Sequence, residues 1–222
     1  MSAACLRELQ HHLERIYELD VSRDCEVDRF LITDAELAGT LEGAAHARAL
    51  PEKLLVWEQE DELHVSLYLE PDVIDVLASN DPIRSLNDGN LAAFWSALEG
   101  VSHFLYLVWN ARHGRGISLF ELELQAEVDK FVGAAFLLAR QRRLRVPREL
   151  HEQVFARPRF DPRLIDGEWR RYHHANQFAS LYCGRLRRRY LSNHGAGLLR
   201  ELRRFYRLTH RYKLNHIRAS AS

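Results

Sequence analysis

The stretch Leu91–Arg112 constrains this 222-residue chain more than any other. Wound as a helix at about 100° per residue, it puts Leu91, Phe94, Trp95, Leu98, Val101, Leu105, Val108 and Trp109 on one broad apolar face. Ala93, Ala97, Gly100, Phe104 and Leu107 make most of the opposite side small or apolar as well. What remains is a narrow polar stripe of Glu99, His103, Tyr106 and Asn110, at i, i+4, i+7 and i+11. A helix that is apolar nearly all round is a buried helix. A buried carboxylate or imidazole needs a partner, because stranding one is costly. The stripe therefore predicts that another part of the chain, or a ligand, faces it.

The next stretch supplies a neighbour. The Gly-rich run 113–116 stops the helix, and Ser118 with Glu121 fits a capping box that opens a second helix to about residue 143. So short a turn makes the two helices antiparallel. The second has an apolar arc of Phe120, Leu124, Val128, Phe131, Ala135 and Leu138 with Glu127 at its edge, while Glu123 and Lys130 are expected nearer solvent. A helix over 166–191, capped by Asp166, carries Asn176 within its apolar face and His173 at the border. A last helix over 198–217 lines up Leu198, Leu202, Phe205 and Thr209, and the same line runs on to Lys213 and His216. An inward Lys and His are unusual, and they offer cationic partners for Glu99 and Glu127.

The candidate pocket residues are thus Glu99, His103, Tyr106, Asn110, Glu127, His173, Asn176, Lys213 and His216. They support two readings. One is a buried polar network that fixes helix register. The other is a small polar ligand pocket between helices, serving an enzyme or a binder. A metal version of the second uses Glu99 and His103, whose i, i+4 spacing lets both reach one ion, with Glu127 and His173 completing the set. The Glu-x-x-His pairs of di-iron bundles are absent from these helices, and so is HExxH. Glu99 and His103 stand as metal candidates, and no cofactor is assigned.

Ahead of the central helix the periodicity changes. Residues 6–19 read as an amphipathic helix, 25–33 as a strand, and 35–40 as a short helix capped by Asp34. The runs 53–58 and 63–69 form the clearest β signal, Leu63, Val65, Leu67 and Leu69 alternating with His64, Ser66, Tyr68 and Glu70. Pro71 opens another short helix. The expected fold is α+β, a small N-terminal antiparallel sheet with helices followed by a larger all-helical array. The expected division is an acidic unit over 1–80, a linker over 81–90, a mostly basic helical unit over 91–217 and a frayed tail over 218–222.

Charge sharpens that division. Residues 1–100 hold 21 Asp and Glu against 7 Lys and Arg, and residues 101–222 hold 10 against 24, so a net charge of zero hides halves of −14 and +14. The acidic half can dock on the basic half, of the same chain or of a second subunit, or the basic half can meet a polyanion. Arg185, Arg187, Arg188, Arg189, Arg200, Arg203, Arg204, Arg207 and Arg211, interleaved with Tyr190, Phe205, Tyr206 and Tyr212, are the nucleic-acid candidates. Three separated cysteines without CxxC indicate neither a disulfide framework nor a zinc knuckle. The start of the chain lacks an apolar signal core, and the apolar runs look short for a membrane span. The expectation is a cytoplasmic, bacterial interaction or regulatory protein without catalysis of its own. Its partner is another protein or its own second subunit, with RNA or DNA binding and a helical-pocket enzyme as alternatives and no membrane.

Overall fold

The computed structural model describes residues 2–42, 50–60, 62–142, 146–156, 166–191 and 197–219. The loops expected over 43–49 and around Pro158 and Pro162, the break over 192–196 and the last residues of the tail lie outside them.

Helix α1 (Ser2–Tyr17) buries Leu6, Leu9, Leu13, Ile16 and Tyr17, the face its apolar spacing predicts. The strand expected over 25–33 is mostly absent. Two 3₁₀ turns, Val21–Arg23 and Val27–Phe30, lead instead into the two-residue strand β1 (Leu31–Ile32). The reason lies in α1, where the buried Gln10 donates to Cys25 O and accepts from Val27 N, each at 2.8 Å. A side chain thus satisfies the backbone that a strand partner would otherwise have paired.

Asp34 caps α2 (Ala35–Glu42), its Oδ1 accepting from the amides of Glu36 and Leu37. Strands β2 (Glu52–Gln59) and β3 (Glu62–Leu69) form the expected antiparallel hairpin, with Glu52 opposite Leu69. β1 joins the other edge of β3 in parallel, Leu31 beside Leu67, so the sheet order is β1-β3-β2 and the sheet is mixed, not wholly antiparallel. Helix α3 (Pro71–Ser79) follows with Pro71 in its first turn.

The segment between residues 80 and 90 is tied in place. Asn90 is buried, donates to Asn80 O and Ser85 O, and accepts from Asn87 N. Gln141 reaches it from the far end of the following hairpin, donating to Pro82 O and accepting from Leu86 N. One apolar cluster includes buried residues on both sides of the segment, from Cys5 to Ile217.

Helix α4 (Leu91–Arg112) is the centre, in contact with α1, α3, β2, β3 and α5 (Leu119–Gln141). By length and composition it could cross a membrane, contrary to the expectation from apolar runs, but a buried core helix passes the same test and α4 is mostly covered by protein. Two glycines allow its neighbours close. A Cβ on Gly100 would meet Leu67 Cδ1 at 2.6 Å and Glu52 Oε2 at 3.2 Å, and one on Gly133 of α5 would meet Leu98 at 2.8 Å. Helix α5 starts with the predicted capping box, Ser118 and Glu121 each bonding the other's backbone amide.

The array continues with α6 (Leu150–Phe155), α7 (Asp166–Leu186), a π turn at Arg187–Leu191, α8 (Leu198–Tyr206) and α9 (His210–Arg218). The single last helix expected over 198–217 is therefore two. The chain breaks after Tyr206, where Thr209 is extended at ψ 167° and its carbonyl restarts the ladder by accepting from Lys213 N.

Candidate metal centre

The polar stripe of α4 divides between two buried clusters. The first lies between α4, α5 and the start of β2. Lys130 Nζ sits 2.8 Å from Glu99 Oε2 and 2.8 Å from Glu127 Oε1, and Asn176 Nδ2 of α7 donates to Glu127 Oε2 at 2.9 Å. His103, 7% exposed, has Nδ1 3.8 Å from Glu52 Oε2 and Nε2 3.6 Å from Glu123 Oε2. Both distances exceed a hydrogen bond. His103 Nε2 and Glu52 Oε2 are enclosed and have no hydrogen-bond partner among the described residues. Donor atoms of Glu99, His103 and Glu123 all lie within 4.8 Å of one another.

Electrostatics in this cluster are strained by an excess of acid. Among the described residues, four carboxylates, Glu52, Glu99, Glu123 and Glu127, face one ammonium and one imidazole. Burial raises the Glu52 pKa, His103 opposes the rise, and Glu99 and Glu123 add to it. Burial would lower the His103 pKa, but Glu123 and Glu52 outweigh it and hold the ring well above its ordinary value. Lys130 follows the same logic, burial being overcome by Glu127 and Glu99. Tyr172 of α7 feels the same charge: burial raises its phenol pKa, and Glu123, Glu99 and Glu52 push it further.

The second cluster lies on the other side of α5. Asp129, 1% exposed, accepts from Tyr17 Oη, from Ser102 Oγ at 2.6 Å and from Gln125 Nε2 at 2.8 Å. Gln125 Oε1 accepts from Lys213 Nζ at 2.6 Å. Lys213 is wholly buried, with its Nζ 4.4 Å from the ring centre of Tyr106 and 4.9 Å from that of Phe205. Burial lowers Lys213 to about 7, against the attraction of Asp129 and Glu121. Burial raises Asp129 to about 6, against its three hydrogen bonds and Lys213.

The structure thus brings Glu99, His103, Glu127 and Asn176 together and sends Tyr106 and Lys213 elsewhere. Asn110 turns onto its own helix and donates to Tyr106 O. His173 stacks on Trp169 and receives Gln177 Nε2 at 2.9 Å. His216 Nε2 lies 2.6 Å from Glu201 Oε1 and 2.9 Å from Arg185 Nη2. The cation answering Glu99 and Glu127 is therefore Lys130, not Lys213 or His216, and Glu123 and Lys130 face inward, not toward solvent. Sequence reasoning missed Glu52, Glu123, Lys130 and Tyr172 as site residues. A signal for two of them was present: Glu123, Glu127 and Lys130 run at i, i+4 and i+7 along α5. A hairpin turning near residue 115 lays that line against Glu99 and His103.

The arginine candidates divide too. Arg185 is committed to Glu201 and His216 O, and Arg187 donates to Arg148 O. Arg203 and Arg207 donate to the last carbonyls around α1, at Ile16, Tyr17 and Glu18. Arg189 lies over the Tyr190 ring, while Arg188, Arg200, Arg204 and Arg211 are exposed. Among the described residues, the ion pairs Arg203–Glu18, Arg112–Asp24 and Lys130–Glu99 join the acidic half to the basic half, and His103 meets Glu52 across the same divide.

No family model, curated protein or solved structure matches this chain.

Proposed function

We propose that the protein binds one divalent transition-metal ion through Glu99, His103 and Glu123. The observation that carries this reading is the convergence of three donor atoms within 4.8 Å of one another, with a buried imidazole nitrogen of His103 that has no hydrogen bond among the described residues. A half-satisfied buried polar cluster is costly, and a dication supplies the charge and the bonds this one lacks. Two carboxylates and one imidazole, without a thiolate, suit Mn²⁺, Fe²⁺, Co²⁺ or Zn²⁺. Glu52 stands behind Nδ1 of His103, the place of the carboxylate that orients a ligating histidine. Three protein donors leave a position open, so the chemical class open to such a centre is activation of a bound water or ligation of a substrate oxygen.

The interaction reading ranks second because many of the charges it would use are engaged within the chain, Arg203, Arg207 and Arg112 on the acidic half among them. The test of the metal reading is calorimetric titration of chelator-treated protein with Zn²⁺ and Mn²⁺. One site per chain is expected, weakened at least tenfold in His103→Ala and Glu123→Gln. Equal binding by these variants and the wild type would overturn it.

A further inference from the structure

A second site lies well apart in composition from the first, on the outer face of α1. Glu8, His11, His12 and Arg15 follow one another at i, i+3, i+4 and i+7, so they share one side of the helix. With Ile83 and Arg140, from the last turn of α5, they line a cavity of 170 Å³. Its volume is below the roughly 300–1,000 Å³ of pockets for drug-sized ligands, and it suits a small polar group.

The charges around the cavity favour an anion. Arg15 and Arg140 are both exposed, and among the described residues neither has a carboxylate within 4 Å. Arg140 Nη2 donates to Ile83 O at 3.2 Å, which fixes the guanidinium at the rim and leaves its other N–H groups available. His12, 8% exposed, has Nε2 3.0 Å from Gly133 O. A carbonyl only accepts, so Nε2 carries the proton, and in the neutral ring Nδ1 is a bare acceptor. Burial, with Arg15 and Arg140 behind it, lowers His12 to about 4 and keeps the ring neutral. The wall therefore offers two guanidiniums for charged oxygens and one imidazole acceptor for a hydroxyl.

We propose that this cavity between α1 and the end of α5 binds inorganic phosphate, held by Arg15 and Arg140 with its remaining P–OH on His12. Guanidinium forks match phosphate oxygens in pairs. The acceptor nitrogen distinguishes monoprotonated phosphate from sulfate, which has no proton to give near neutral pH. Glu8 is the one acidic group on the lining, and its carboxylate opposes the ligand.

The test is ³¹P line broadening and thermal shift of the full chain, with chelator present throughout so that phosphate cannot act through a bound metal. The probes are inorganic phosphate, phenyl phosphate and sulfate at matched ionic strength. The expected result above neutral pH is binding of inorganic phosphate at least tenfold tighter than sulfate or phenyl phosphate, whose second pKa of about 6 leaves it no P–OH. Arg140→Gln and Arg15→Gln should each weaken it about tenfold, and Glu8→Gln should tighten it several-fold. Phenyl phosphate binding as tightly as inorganic phosphate would show that no P–OH on His12 is needed and would overturn the proposal. Equal response to sulfate and phosphate, or affinities unchanged in the two arginine variants, would overturn the proposal. A Glu123→Gln variant that keeps phosphate binding shows this site to be independent of the metal centre.

Discussion

Two buried polar clusters share helices α4 and α5, and they are finished to different degrees. Around Asp129 every carboxylate oxygen has a donor, Gln125 is used at both ends of its amide, and Lys213 has an acceptor and aromatic faces. Around His103 the distances stretch to 3.6 and 3.8 Å. Among the described residues, an imidazole nitrogen and a carboxylate oxygen go without hydrogen-bond partners there, whereas beside Lys213 it is the neutral hydroxyls of Tyr106 and Tyr206 that do. Both clusters sit among the same kinds of apolar residues, so burial alone does not explain the contrast. The difference is charge balance. The first opposes one carboxylate to one ammonium through an amide, whereas the second gathers four carboxylates around one ammonium and one imidazole. A balanced cluster closes by itself and holds helices in register, and an unbalanced one is completed by a cation.

The largest expected effect belongs to the closed cluster and to pH. The Lys213 pKa is lowered in the fold, from 10.5 to about 7. Its contribution to stability is therefore fully present above 10.5 and is lost as pH falls through about 7. The Asp129 pKa is raised, from 3.8 to about 6, so its contribution is present below 3.8 and lost as pH rises through about 6. Taken together, the pair is least favourable between those two values. Urea melts across pH should show wild-type stability climbing above pH 7 relative to Lys213→Met, by about 5 kcal/mol at most. Parallel curves for the two proteins would contradict the buried, depressed lysine.

Next in size is Asp129→Ala, which strands Lys213, Gln125, Ser102 and Tyr17 together and should cost about 3 kcal/mol. The matching change in the open cluster, Glu123→Gln, should cost less than about 1 kcal/mol in metal-free protein, and relief of acid repulsion can make it stabilising. Denaturant midpoints of the two variants side by side measure the contrast directly. Equal losses would erase the distinction between the clusters.

The smallest effects lie on the arginines. Arg203→Ala removes a donor from Ile16 O and an ion pair with Glu18 and should cost about 1 kcal/mol. Arg204→Ala, one residue further and exposed, should fall within about 0.5 kcal/mol. Thermal melts of the pair would show whether the basic helices serve the fold or stand free of it.

Much of this was legible in the residues. The all-round apolarity of 91–112 identified the central helix and its polar stripe, and Ser118 with Glu121 located the start of the antiparallel neighbour. Inward Lys213 was legible as a polar residue continuing an apolar line, although the chain breaks in between. What sequence periodicity could not reveal was pairing. An apolar arc assigns one buried face per helix, but α5 is covered on more than one side, so by periodicity alone Glu123 and Lys130 read as solvent-facing residues. Glu52 opens a strand and carries no periodic mark, and its approach to His103 depends on Gly100 letting β3 and β2 close on α4. The 3₁₀ turns at 21–30 escaped for a related reason, since Gln10 replaces a strand partner from seventeen residues away.

The central claim is that the cluster around His103 is completed by a cation, and Co²⁺ tests it most directly. Metal-free protein titrated with Co²⁺ should develop visible d–d absorption that saturates at one ion per chain. The absorption should be lost in His103→Ala and retained in Lys213→Met, whose change lies in the closed cluster. Absence of a saturable spectrum in the wild type, or an unchanged spectrum in His103→Ala, would contradict the account.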